Sequence, residues 1–140
     1  MGYTHYWSLK EKPTRAAWQA YIAAVEAVLD STATRLAYEY DAPRKPPEVS
    51  MAQVRFNGVG DNGHETFIVR PEVTDFEFCK TAQKPYDAEV VACLILANYY
   101  LPTFSWSSDG SKRNFQRGLG LAIEAQSAVG EGNLASDREG

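Results

Sequence analysis

A chain of 140 residues that is 44% hydrophobic and 12% aromatic can bury one substantial core, and it is too short for two ordinary domains. Its formal net charge of -4 excludes the broad basic face that sequence-independent binding to a nucleic-acid backbone requires, so any cationic site has to be local. No apolar run reaches membrane-spanning length and the two cysteines lack CxxC spacing, which predicts a cytoplasmic protein with reduced thiols and no membrane contact.

Residues 3–9 place Tyr3, His5, Trp7 and Leu9 on one side and Thr4, Tyr6 and Ser8 on the other, the period of a strand. From Thr14, a residue type that caps helices, Trp18, Tyr21, Ile22, Val25, Val28 and Leu29 recur at helical spacing to about Ser31. A strand is expected over 34–40, and three prolines make 42–47 a loop. Strands over 53–57 and 64–70 flank Gly58-Val59-Gly60-Asp61-Asn62-Gly63, a connection whose glycines permit close backbone approach. A strand over 76–81 leads to a helix over 85–100 that carries an unbroken apolar run from Val90 to Ala97. A short strand over 103–107 precedes the last helix, for which Asp109 is the expected N-cap, and a small polar tail, flexible in character, occupies 130–140. The order βαββββαβα predicts one α+β domain over 1–129, a mostly antiparallel curved sheet of about five to six strands packed with three helices.

The chemistry concentrates at two helix starts. A helix N-terminus carries unpaired N–H groups and partial positive charge, so cations there run against the electrostatics unless an anion is to be held. Lys80 and Lys84 precede the helix at 85–100, and Lys112 and Arg113 open the last one. These four cations are the expected contacts of an anionic guest, with both helix starts opening on one cavity if the strands before them run side by side and parallel. Tyr3, Tyr86 and Trp106 are candidates to stack on a flat base, with His5 and Asp109 as further contacts. His64, at the start of a strand after the glycine-rich turn, is the candidate acid or base, with Glu65 or Asp87 as its carboxylate. Glu65 points to the opposite sheet face in a regular strand, and Asp87 also serves as an ordinary first-turn carboxylate. A nucleophilic Cys79 acting with His64, if their strands pair, and with its thiol pKa lowered by Lys80, is a weaker alternative to a small buried thiol. His5, Asp61, His64, Glu65 and Cys79 are ligand types without the spacing of a zinc site, and no cofactor or metal is expected.

The segments MGYTHYW, FNGVGDNGHETF, FCKTAQKPYD and SSDG together resemble, over nearly the whole chain, a family of small uncharacterised proteins found in bacteriophages and bacterial genomes. That resemblance implies a phage context, hence the host cytoplasm, and by analogy a counter-defence protein that sequesters a nucleotide immune signal. Three classes of function follow: a binder of a small phosphorylated, nucleotide-like ligand, a hydrolase or phosphodiesterase degrading one, and a protein-binding inhibitor of a host factor. A homo-oligomer is compatible with each.

Overall fold

The computed structural model describes residues 2–130; of the expected tail, all but Gly130 lies outside them. In chain order the elements are β1 Thr4–Leu9, α1 Arg15–Ser31, β2 Leu36–Ala37, β3 Glu48–Val49, β4 Val54–Gly58, β5 Phe67–Val69, β6 Thr74–Lys80, α2 Asp87–Tyr100, β7 Phe104–Ser108 and α3 Gln116–Ala128. Short 3₁₀ turns at Gly60–Asn62 and Lys112–Phe115 lie between them. The protein has an α+β fold, and its described residues form seven strands in two antiparallel sheets. One strand more than expected, β3, forms after the proline-rich loop by pairing Glu48 with Arg55 and Val49 with Val54. Its two residues carry no pattern of their own, so only their partner strand defines them.

The first sheet has the order β6-β1-β7, and the second groups β2, β3 and β5 around β4. In β1 the alternation turns His5, Trp7 and Leu9 into the core and leaves Tyr6 and Ser8 half-buried. Tyr6 continues on that outer face into Phe76 and Phe78, with successive ring centroids 5.9 Å apart.

Helix α1 begins where Thr14 Oγ1 accepts the N–H of Ala17 at 3.1 Å, and it buries Trp18, Tyr21, Ala24, Val25 and Val28. Helix α2 is enclosed on every side from Glu89 to Ala97, packed against α1, α3 and β7. An all-round apolar helix can only be stable in such a place, and each large aliphatic side chain contributes roughly 1.5–3 kcal/mol on burial. Tyr21 donates to the Cys93 carbonyl at 3.0 Å and fastens α1 to α2. Helix α3 approaches α2 so closely at Gly118 that a Cβ there would lie 2.5 Å from Val91 Cγ1. Among the described residues no helix is long and apolar enough to cross a membrane.

Candidate functional site

The turn between β4 and β5 is organised by one buried amide. Asn57 Oδ1 accepts the N–H groups of Gly58 at 2.7 Å and His64 at 3.1 Å, and Nδ2 donates to the His64 carbonyl at 2.9 Å and Thr66 Oγ1 at 3.1 Å. The four hydrogen bonds exhaust what an amide side chain can make. They draw the chain in so tightly that a Cβ on Gly58 would overlap the Asn62 carbonyl, and one on Gly63 would lie 2.5 Å from Asn57 Oδ1. The Gly60 N–H donates to the Tyr40 carbonyl at 2.7 Å, which brings Tyr40 alongside. Tyr40, Gly60, Asp61, Gly63, His64, Glu65 and Lys84 then line a cleft of about 400 Å³. His64 is exposed, and half of Tyr40 (51%) faces solvent.

Lys84 reaches this cleft through an unusual loop. Ala82 and Gln83 both take left-handed conformations, φ 52° and 55°, at a cost of order 1–2 kcal/mol each for a side chain bearing Cβ. Compensating hydrogen bonds surround them: Thr81 and Ala82 donate to the Tyr3 carbonyl, Lys84 to the Thr81 carbonyl, and Asp87 to the Lys84 carbonyl. Behind the loop, the Thr81 hydroxyl at 2.5 Å and His5 Nε2 at 2.6 Å converge on Asp87 Oδ1. The carboxylate therefore closes the loop and sits in the first turn of α2, where the helix favours it.

Of the expected site residues, the structure brings His64, Glu65 and Lys84 to one cleft and disperses the rest. Tyr86 is fully buried and donates to the Glu65 carbonyl, so its ring is not presented for stacking; burial and the neighbouring Cys79 push its hydroxyl far above the usual range. His5 is equally buried, 5.3 Å from the Tyr3 ring and 6.2 Å from Trp106, and engages Asp87 instead of a ligand. Asp87 consequently partners His5 and Thr81, not His64. Glu65 Oε1 accepts the Lys80 N–H at 2.7 Å, and His64 and Glu65 precede β5 instead of starting it. Tyr3 is half-buried with its ring edge against Gly110, its hydroxyl raised by burial and by Asp87. Trp106 packs on Phe115 at 5.2 Å.

Asp109 is not a helix cap. Its carboxylate accepts the Thr4 N–H and the Tyr6 hydroxyl, both at 3.0 Å, because it extends the end of β7 along β1. Ser111 takes the capping position of the following 3₁₀ turn, where its N–H and Oγ meet Asn114 Oδ1, and α3 starts only at Gln116. Lys112 and Arg113 are exposed in that turn, and the Lys80 side chain runs beside Gly2. The strands before the two helices are parallel to each other and end together, since Thr4 pairs with Lys80 and His5 with Ser108. They are not side by side, however, because β1 lies between them. Sequence reasoning missed Tyr40 and Asn57; the one signal for Asn57 was an amide directly ahead of a glycine-rich turn.

Burial raises the Cys79 thiol to about 12 and pushes Cys93 up as well, so Lys80 does not activate a nucleophile here. We expect both native thiols to resist iodoacetamide at pH 8 and to react at once in denaturant; rapid native alkylation of Cys79 contradicts the burial argument. Because unfolded Cys79 ionises first, its contribution lowers native stability as pH rises from about 9 toward 12. Among the described residues no three His, Cys, Asp or Glu side chains group as metal ligands. Comparison of the chain with models of known protein families, with curated proteins and with solved structures found no match.

Proposed function

We propose that this protein binds a small phosphorylated, nucleotide-like ligand in the cleft of Tyr40, His64 and Lys84, and that it acts by sequestration. The observation that carries this reading is the meeting of two segments far apart in sequence, the glycine-rich turn and the loop before α2, on one preorganised cleft. Lys84 supplies a cation, Tyr40 an exposed ring of the kind that stacks on bases, and the open face of Gly60 lets a ligand approach the backbone. About 400 Å³ lies within the size range of small-ligand pockets. His64 lines the cleft with Asp61 and Glu65, and among the described residues neither carboxylate is hydrogen-bonded to its ring, which favours holding a ligand over turning one over. Sequestration of an immune nucleotide in a phage-infected host is the biological form of this proposal, and it comes from the family resemblance.

The aromatic row Tyr6, Phe76 and Phe78 supports a second reading, in which the outer sheet face meets a host protein. Calorimetric titration with mononucleotides and cyclic nucleotides separates the two. Lys84→Ala removes a charge-assisted contact of about 1.5–3 kcal/mol and should weaken binding roughly tenfold or more. Lys80→Ala should bind as wild type does. His64→Gln should trim affinity only slightly, and the recovered nucleotide should be chemically unchanged after single-turnover incubation. Altered nucleotide would replace sequestration by catalysis, and no nucleotide binding at all would leave the protein-partner reading.

A further inference from the structure

On the other side of the Gly60–Asn62 turn lies a second cavity of about 370 Å³, lined by Ala33, Thr34, Arg35, Val59, Asn62, Pro85 and Arg117. Two exposed arginines, Arg35 and Arg117, and among the described residues no carboxylate, line it in a chain whose net charge is -4. Among the described residues, neither Arg35 nor Arg117 has an ion-pair partner; the one hydrogen bond of either side chain runs from Arg117 Nη2 to Thr34 Oγ1 at 3.2 Å. Like charges brought together without a counter-charge repel.

Both arginines are carried on fixed supports. Thr34 is tied by its N–H to Thr32 Oγ1, whose hydroxyl donates to the buried Glu89, and this anchors the segment that leads into Arg35. Arg117 stands in the first turn of α3 beside Gly118, which is seated against Val91 of α2. A cation in a helix's first turn opposes the dipole, and a bound anion lowers that cost. Pro85, just ahead of α2, closes the same cavity, so the starts of α2 and α3 do meet, around Arg117 instead of Lys112 and Arg113.

We propose that this cavity is a second anion-binding site, for a phosphoryl group shared between Arg35 and Arg117. Two planar guanidinium forks approaching from different segments, with the Thr34 hydroxyl still free to donate, match a tetrahedral oxyanion of three or four oxygens better than a planar carboxylate with two. The site is separate from the Lys84 cleft and does not depend on nucleotide binding there.

Inorganic diphosphate is the probe, titrated at constant ionic strength while the arginine side-chain N–H resonances are followed by NMR, which also reports that each variant is folded. The resonances of Arg35 and Arg117 should shift together in the wild-type protein. Arg35→Gln and Arg117→Gln should each weaken binding roughly tenfold or more. Lys10→Gln, an equal change in net charge at the far end of β1, should leave it unaltered. The proposal is overturned if diphosphate moves neither resonance, if the double Arg→Gln protein binds as tightly as wild type, or if Lys10→Gln weakens binding as much as the arginine variants do.

Discussion

Asn57→Ala should destabilise the protein by roughly 2–4 kcal/mol and weaken the proposed ligand binding at the neighbouring cleft by more than its direct contacts explain. The substitution leaves the N–H groups of Gly58 and His64 and the carbonyl of His64 without their partner, in a turn whose glycines have drawn too close for water to replace the amide easily. Thr66 still donates to Glu39, so the loss is concentrated on the backbone of the turn. Asn57→Asp keeps both acceptor bonds and loses both donor bonds, and an intermediate loss is expected from it. Urea unfolding measures the stability change as a shift in midpoint at constant slope. An Asn57→Ala protein of wild-type stability would mean that the turn holds its shape without the amide, and the account of a preorganised cleft would fail with it.

A loss of similar size is expected from Asp87→Ala, roughly 2–5 kcal/mol, for a different reason. His5 is fully buried, and among the described residues its Nδ1 lacks a partner and Asp87 supplies the only hydrogen bond its ring makes. Thr81 loses its acceptor in the same change, and with it the brace behind the left-handed Ala82-Gln83 turn. Asp87→Asn retains an acceptor oxygen and should recover a substantial part of the loss. Because that turn sets the place of Lys84, Asp87→Ala should also weaken the proposed ligand binding although Asp87 does not line the cleft. Thermal unfolding of the two variants beside wild type decides between this bracing role and a free carboxylate, for which both substitutions would be nearly neutral.

How much of this was legible in the sequence depends on the distance over which each feature is set. Period-two alternation in β1, the 3.6-residue stripe of α1 and the unbroken apolar run of α2 report burial directly, and each element lies within a few residues of its expected place. The α+β class follows from their order. The two-residue strands β2 and β3 were misjudged, one as a strand over 34–40 and the other as no strand, because so short a strand exists only through its partner β4. The glycine-rich turn was marked as a place where backbone could approach a ligand, and His64, Glu65 and Lys84 do line one cleft.

The remaining assignments rested on local electrostatics, and there the tertiary structure decided otherwise. Asp109 has the composition of a helix cap, yet β1 lies nearer and its Thr4 N–H and Tyr6 hydroxyl claim the carboxylate. Tyr86 stands two residues from Lys84 in sequence, but the backbone turns its ring into the core. Cations at helix starts were read as Lys112 and Arg113, one turn of chain too early, because the 3₁₀ turn at Lys112–Phe115 delays α3 until Gln116 and leaves Arg117 in the first turn. Periodicity determined by itself which faces are buried, since the hydrophobic effect acts on every residue according to its own surface. Which polar group meets which could only be decided in three dimensions, because a hydrogen bond or an ion pair needs a partner within about 3 Å, and that partner is brought there by folding from anywhere in the chain.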